Sequence, residues 1–310
     1  MANITVRPPP SGAAPALTDD RQSPPRRRRG DLVRRHPLVS FFILASLLSW
    51  LGWTPYVLSQ NGLGVWSYRY PELLGSSQIL GVLPGAYLGP VFSAFLVTLV
   101  ADGRDGLRRW VRRLWHWRVR WHWYAIALLG VPAALLLTGF VFNGGKIHAP
   151  SVLVLAVYVP ALLLQMVTTG LAEEPGWRDF ALPRLQSRFG PLRASLVLGP
   201  LWAAWHLPLF LSDWGGWPNA HWTRPVAFIV FCIAFNFVVS WMFNRTGQSL
   251  PLVMLLHVSV NNFSSVVWSD LFPALGPDLT LIAQASAAVV AAVVVLVATR
   301  GRLGYVKDRT

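Results

Sequence analysis

The stretch GLAEEPGWRDF sets Glu173 and Glu174 side by side at the end of a run without charge, residues 149–172, and puts Arg178 four residues after the second glutamate. On a helix, residues four apart share a face, so Glu174 and Arg178 are placed to form an ion pair. Successive residues point about 100° apart, so Glu173 escapes that partner and is left for proton transfer. Pro175 is a qualification: if it breaks the helix, Glu174 becomes the cap of a short interfacial helix and the pair is lost. Further on, the apolar segment LWAAWHLPLF carries His206, four residues after Trp202. Another, LPLVMLLHVSVNNF, carries His257 and Asn261 at the same spacing, with Asn262 beside them, and Asn236 lies in the segment between. A carboxylate, two imidazoles and an amide on three segments can activate a water and stabilise an oxyanion. Glu173, His206 and His257 are equally candidates for zinc ligands, although no HExxH sequence favours a metal. Taken singly, each polar group has a plainer reading as a hydrogen bond between helices. That reading needs several coincidences to cover them all.

The elements that would position these groups are spans of a membrane. The chain has 310 residues, of which 54% are hydrophobic and only 13% charged, a balance that a soluble core of this size does not need. Eight segments reach the roughly 20 apolar residues a spanning helix requires: about 38–58, 79–101, 122–143, 151–172, 194–212, 225–243, 248–268 and 280–299. The expected architecture is an all-α integral membrane protein, a polytopic bundle of about eight transmembrane helices over residues 37–299. Residues 1–36 are rich in Pro, Ser, Ala and Arg and read as a disordered basic tail; residues 300–310 read as a second basic tail. Arginines crowd the N-terminal tail, the loops after the second and fourth spans, and the C-terminus, whereas the alternate loops hold only Arg69, Lys146 and Arg224. By the positive-inside rule both termini are cytoplasmic. The net charge of +14 is then explained by membrane lipid, without a nucleic-acid partner. GLRRWVRRLWHWRVRW, with Leu107, Trp110, Val111 and Leu114 on one face, reads as an interfacial amphipathic helix. The last span, rich in Ala and Val, reads as a packing helix. The single cysteine, Cys232, excludes an internal disulfide. Arg greatly outnumbers Lys, a bias of GC-rich genomes that points to a bacterial plasma membrane.

The three motifs occur together in one known group. EEPGWRDFALPRLQ resembles the EExxxR motif of the CAAX protease and bacteriocin-processing (Abi) family of intramembrane endopeptidases. WAAWHLP resembles its second motif, an aromatic residue followed four positions later by His, and LPLVMLLHVSVNN its third, HxxxN. The resemblance covers residues 151–268. It implies that Glu173 activates the attacking water with help from His206, that His257 and Asn261 line the oxyanion hole, and that Glu174 and Arg178 support the site. It leaves two options for cofactors, none or zinc, since both a metalloprotease and a glutamate-activated water have been put forward for the family. Trp202 stands where the second motif commonly has Phe. The expected activity is hydrolysis of a peptide bond near the cytoplasmic half of the membrane. The substrate would be a membrane-associated peptide or membrane protein, lipidated CAAX segments being those of the eukaryotic relatives. A non-enzymatic immunity or scaffold protein is the alternative. A transporter ranks last, because no internal repeat is visible and every intramembrane polar group lies in the second half.

Overall fold

The computed structural model describes residues 2–3 and 31–306. The expected N-terminal tail falls mostly outside the described residues. Its described end, Asp31–Arg35, is a short helix. Among the described residues there is no β-strand, and seven helical runs are long and apolar enough to cross a membrane. This is the expected all-α polytopic membrane protein. In hydrocarbon a backbone must satisfy its own hydrogen bonds, and an apolar run does so by coiling into a helix.

The runs are α1 (Pro37–Leu58), α2 (Leu83–Arg113), α3 (Trp121–Phe142), the 60-residue run Val152–Leu211, α6 (Thr223–Arg245), α7 (Leu250–Leu271) and α8 (Pro277–Thr299). The fourth and fifth expected spans are the two arms of that long run, here α4 (152–189) and α5 (191–211). The bend between them is at Gly190, whose φ of +76° and ψ of 168° suit a residue without a Cβ. Eight apolar segments therefore appear as seven continuous runs. Prolines open α1, α7 and α8 within the first turn, where their missing N–H costs nothing.

α7 is the most enclosed helix, with 78% of its apolar window buried, and α4 the least, with 6%. The polar groups of α7 are therefore held inside protein, while Val152, Leu153, Leu155 and Leu163 of α4 face outward. α8 packs extensively on α6, and its Ala285, Ala288 and Ala292 are buried. Small side chains let helix backbones approach closely, as its composition suggests. Residues 300–304 fold back on α6, where Asn244 Nδ2 donates to the Leu303 carbonyl at 3.0 Å and Leu303 is fully buried. The expected C-terminal tail is thus folded at its start; residues 307–310 lie outside the described residues.

Contacts sort the connections onto two ends of the bundle. At one end Arg34 donates to the Val100 carbonyl, Arg184 pairs with Asp102, and Ser249 donates to the His116 carbonyl. At the other, Asn61 Nδ2 donates to Asp213, the Ser151 N–H donates to Asp270, and Arg224 pairs with Asp278. The first end carries the arginine-rich loops. The amphipathic segment lies at that end. Beyond a break at Gly103, α2 turns Trp110 inward while Arg108 stays exposed.

Candidate active site

Pro175 has no N–H and its ring crowds the carbonyl four residues back, so a regular α-helix cannot pass through it without adjustment. The chain adjusts by widening rather than breaking. Leu171–Glu174 is one α-turn, and Pro175–Ala181 continues as a π-helix. Wide turns of this kind concentrate at functional sites. Gly176 makes the close approach to α2 possible, since a Cβ there would lie 2.6 Å from both Cβ and O of Pro90. From outside, Trp110 Nε1 donates to the Pro175 carbonyl at 3.1 Å and Arg113 pairs with buried Asp179. Every residue from Ala172 to Leu182 is buried.

The helix therefore runs on through the proline, and the expected ion pair forms. Arg178 Nε lies 3.2 Å from Glu174 Oε2, with both side chains at 0% exposure. The guanidinium also sits over the Trp202 ring, 4.7 Å from its centroid. The other oxygen of Glu174 meets His257 Nδ1 at 2.8 Å. That contact does not follow from the i, i+4 pattern within either helix. Glu174 is thus clamped between two basic groups.

Glu173 points elsewhere. Its Oε2 accepts a hydrogen bond from Trp202 Nε1 at 2.8 Å and lies 3.9 Å from His206 Nε2. His206 Nδ1 is 2.9 Å from the Trp202 carbonyl. A carbonyl only accepts, so Nδ1 carries the hydrogen and neutral His206 turns a lone pair on Nε2 toward Glu173. The ring is fixed on its faces and edges by Trp205, Trp214 and Phe228, with centroids 4.5, 5.6 and 5.0 Å away.

A cavity of about 820 Å³ meets these groups. Glu173, His206, His257 and Asn261 all line it, while Glu174 and Arg178 stand behind its wall. The remaining intramembrane amides fit the plainer reading. Asn236 Nδ2 donates to the Ser195 carbonyl at 2.8 Å, and Asn262 Nδ2 donates to the Tyr158 carbonyl at 3.0 Å. They tie helices together. The residue that sequence reasoning underrated is Trp202. Its spacing to His206 put both on one face, but nothing in the spacing showed its N–H aimed at Glu173.

The three candidates for a metal do not assemble as a ligand set. Among the described residues no three His, Cys, Asp or Glu side chains gather closely enough to hold an ion. As placed, Glu173, His206 and His257 do not form a three-ligand zinc site.

Fold and site together define an integral membrane protein with an enclosed carboxylate–imidazole centre opening into a cavity. Residues 155–263, which hold all six candidate positions, match the family described as type II CAAX prenyl endopeptidase Rce1-like. Over 146 residues the chain is 27% identical to CAAX prenyl protease 2 of Methanococcus maripaludis, an alignment covering 43% of this chain and 48% of that protein. The match thus spans about half the length of that curated relative. The two comparisons bear out the resemblance read from the three motifs: the motif-bearing part of the chain is similar to CAAX prenyl endopeptidases.

Proposed function

We propose that the protein is an intramembrane endopeptidase that hydrolyses a peptide bond in a membrane-associated peptide or protein. The observation that carries this reading is that four groups suited to hydrolysis share one cavity wall while an ion pair holds them from behind. Glu173 Oε2 and His206 Nε2 are both acceptors, 3.9 Å apart. A water donating one hydrogen to each satisfies both and turns its own lone pairs toward the cavity. It attacks the scissile carbonyl while Glu173 takes its proton. The carbonyl oxygen becomes an oxyanion, which the Asn261 amide and a proton on His257 Nε2 stabilise. Glu174, bonded to His257 Nδ1, fixes the ring in place for this role. The tetrahedral intermediate then breaks its C–N bond, and Glu173 returns the proton to the leaving amine. Glu174 and Arg178 act by positioning.

The name of the Methanococcus maripaludis relative, a CAAX prenyl protease, makes a prenylated CAAX peptide the first probe. The test uses purified, reconstituted protein with that peptide and with a mixture of membrane-derived peptides, bound zinc being quantified on the same sample. Cleavage by the parent, lost in Glu173→Ala and independent of zinc content, is the expected result. Full cleavage by Glu173→Ala sinks the mechanism, and cleavage that tracks zinc replaces it with a metalloprotease.

A further inference from the structure

Three side chains in the cavity wall carry polar groups that neither the catalytic cluster nor the helix packing uses. Gln165 of α4 spends its Nε2 on Asn262 Oδ1 and Ser265 Oγ, each at 3.2 Å, but its buried Oε1 has no partner among the described residues. Ser264 of α7 has a buried hydroxyl with no such partner either. Gln284 lies two turns into α8, the helix whose composition marks it for packing. It is 8% exposed, and it lines the cavity. Its neighbours on that helix are committed, Thr280 to Trp268 Nε1 and Ser286 to the Ile282 carbonyl. The Gln284 amide has no hydrogen bond to a described residue. A buried polar group left unpaired lowers stability, and within a membrane span such groups mark function.

The three groups continue the catalytic cluster as a row. α4 and α7 run antiparallel, since Glu174 meets His257 at one level and Gln165 meets Asn262 at another. The row runs from Glu173 back to Gln165 on α4, and from His257 through Asn261 to Ser264 on α7. At 1.5 Å per residue each stretch is about 10–12 Å long. α8 returns antiparallel to α7, and Trp268 bonds Thr280, so one turn further into the bundle brings Gln284 to the level of Ser264. An extended peptide rises about 3.3 Å per residue, so the row matches about three or four residues of it.

We propose that Gln165, Ser264 and Gln284 hold the main chain of the substrate in an extended form, over the residues to one side of the scissile bond. This rests on the endopeptidase reading and names how its substrate is recognised. An extended segment brings N–H and C=O groups that hydrocarbon cannot satisfy. Gln165 Oε1 accepts from an N–H, the Gln284 amide donates and accepts, and the Ser264 hydroxyl does either. The wall from α1, α2 and α6 is apolar, including Trp53, Leu83, Phe228 and Phe231, and is left for side chains. The one arginine on it, Arg224, is committed to Asp278 and the Gly215 carbonyl, each at 2.9 Å. The substrate class is therefore a locally unwound peptide with apolar side chains; a segment that stays helical keeps its main chain to itself and gains nothing from the row.

The test reads binding apart from cleavage, in reconstituted full-length protein carrying Glu173→Gln. The probes are a fluorescent prenylated CAAX peptide and a fluorescent unprenylated apolar peptide, each also made as a series with one backbone N–H at a time replaced by an ester oxygen. The expected result is that both peptides bind and that one or two esters, within about four residues of each other, weaken Kd about two- to tenfold. Adding Gln284→Leu or Gln165→Leu should weaken the all-amide peptide to a similar degree and abolish the further cost of those esters. Gln284→Leu should leave the thermal midpoint unchanged or raise it, because it removes an unpaired amide from a buried position. Failure of both peptides to bind, no ester effect at any position, or ester costs that persist in both variants overturns the proposal. So does a lowered midpoint in Gln284→Leu with the ester costs intact, which marks a structural glutamine. The same peptides given to protein with Glu173 in place separate the two readings. Ester coupling without any cleavage counts against the endopeptidase reading and leaves the main-chain site standing, whereas cleavage without ester coupling does the reverse.

Discussion

At the scale of residues, the division of labour between the two glutamates was legible in their spacing, because i, i+4 geometry pairs Glu174 with Arg178 and turns Glu173 away. The partner of Glu173 was not legible. Spacing tells which helix face a tryptophan occupies, whereas the direction of its N–H depends on how α5 sits against α4. Trp202→Phe keeps the ring under Arg178 and removes only the donor to Glu173. A hydrogen bond to a charged group contributes about 1.5–3 kcal/mol. The expected outcome in steady-state kinetics is a fall in kcat of about tenfold or more with KM little changed. The His257–Glu174 contact joins α7 to α4 and was likewise invisible to either helix alone. Arg178 belongs to stability. Removing one partner of a buried ion pair costs about 3–5 kcal/mol, because the other charge stays buried. Arg178→Leu should lower the thermal midpoint sharply. Adding Glu174→Gln to it should recover part of the loss, since the two positions are coupled. Two losses that simply add would show that the pair is not a unit.

At the scale of elements, apolar length marked every span, because a bilayer accepts little other than a helix of about 20 residues. What length did not show was how Pro175 would be accommodated. The two possibilities weighed were a regular helix and a break. The chain takes a third path, a π-helix held against α2 where Gly176 meets Pro90. That contact yields a prediction. In Gly176→Val the new side chain must push α2 away from α4, shifting the segment that carries both glutamates. Activity and thermal midpoint should fall together, whereas Trp202→Phe affects activity alone. The basic amphipathic segment was legible as amphipathic, but its partner was not: the face bearing Trp110 covers the site helix instead of lipid. Trp110→Ala removes the hydrogen bond to the Pro175 carbonyl and the ring that covers it. It should loosen the segment 172–182, read as faster amide hydrogen exchange there. Unchanged protection would mean that α2 contributes nothing to holding the site.

At the scale of the whole molecule, the class was legible and the cavity was not. Composition marks a membrane protein, and arginine placement orients its ends. The cavity forms where α1, α2, α4, α5, α6, α7 and α8 meet, and no single segment encodes that. The polar residues read from sequence divide at this scale as well. Glu173, His206, His257 and Asn261 reach the cavity, whereas Asn236 and Asn262 tie helices together. The same geometry bears on metal. With no three-ligand group among the described residues, cleavage should persist at an unchanged rate after exhaustive chelation. Loss of activity on chelation, restored by zinc, would contradict that expectation.

The most direct test of the central claim is the cleavage rate of Glu173→Gln against the parent, with the thermal midpoint measured on the same reconstituted samples. Glutamine keeps the shape and still offers an oxygen to the Trp202 N–H, but it cannot take a proton from water. Proton transfer by a positioned side chain contributes about 10²–10⁴-fold. A loss of at least about 100-fold in rate at an unchanged midpoint is the predicted result. A Glu173→Gln protein that is equally stable and cleaves within a few-fold of the parent would show that Glu173 is not the base.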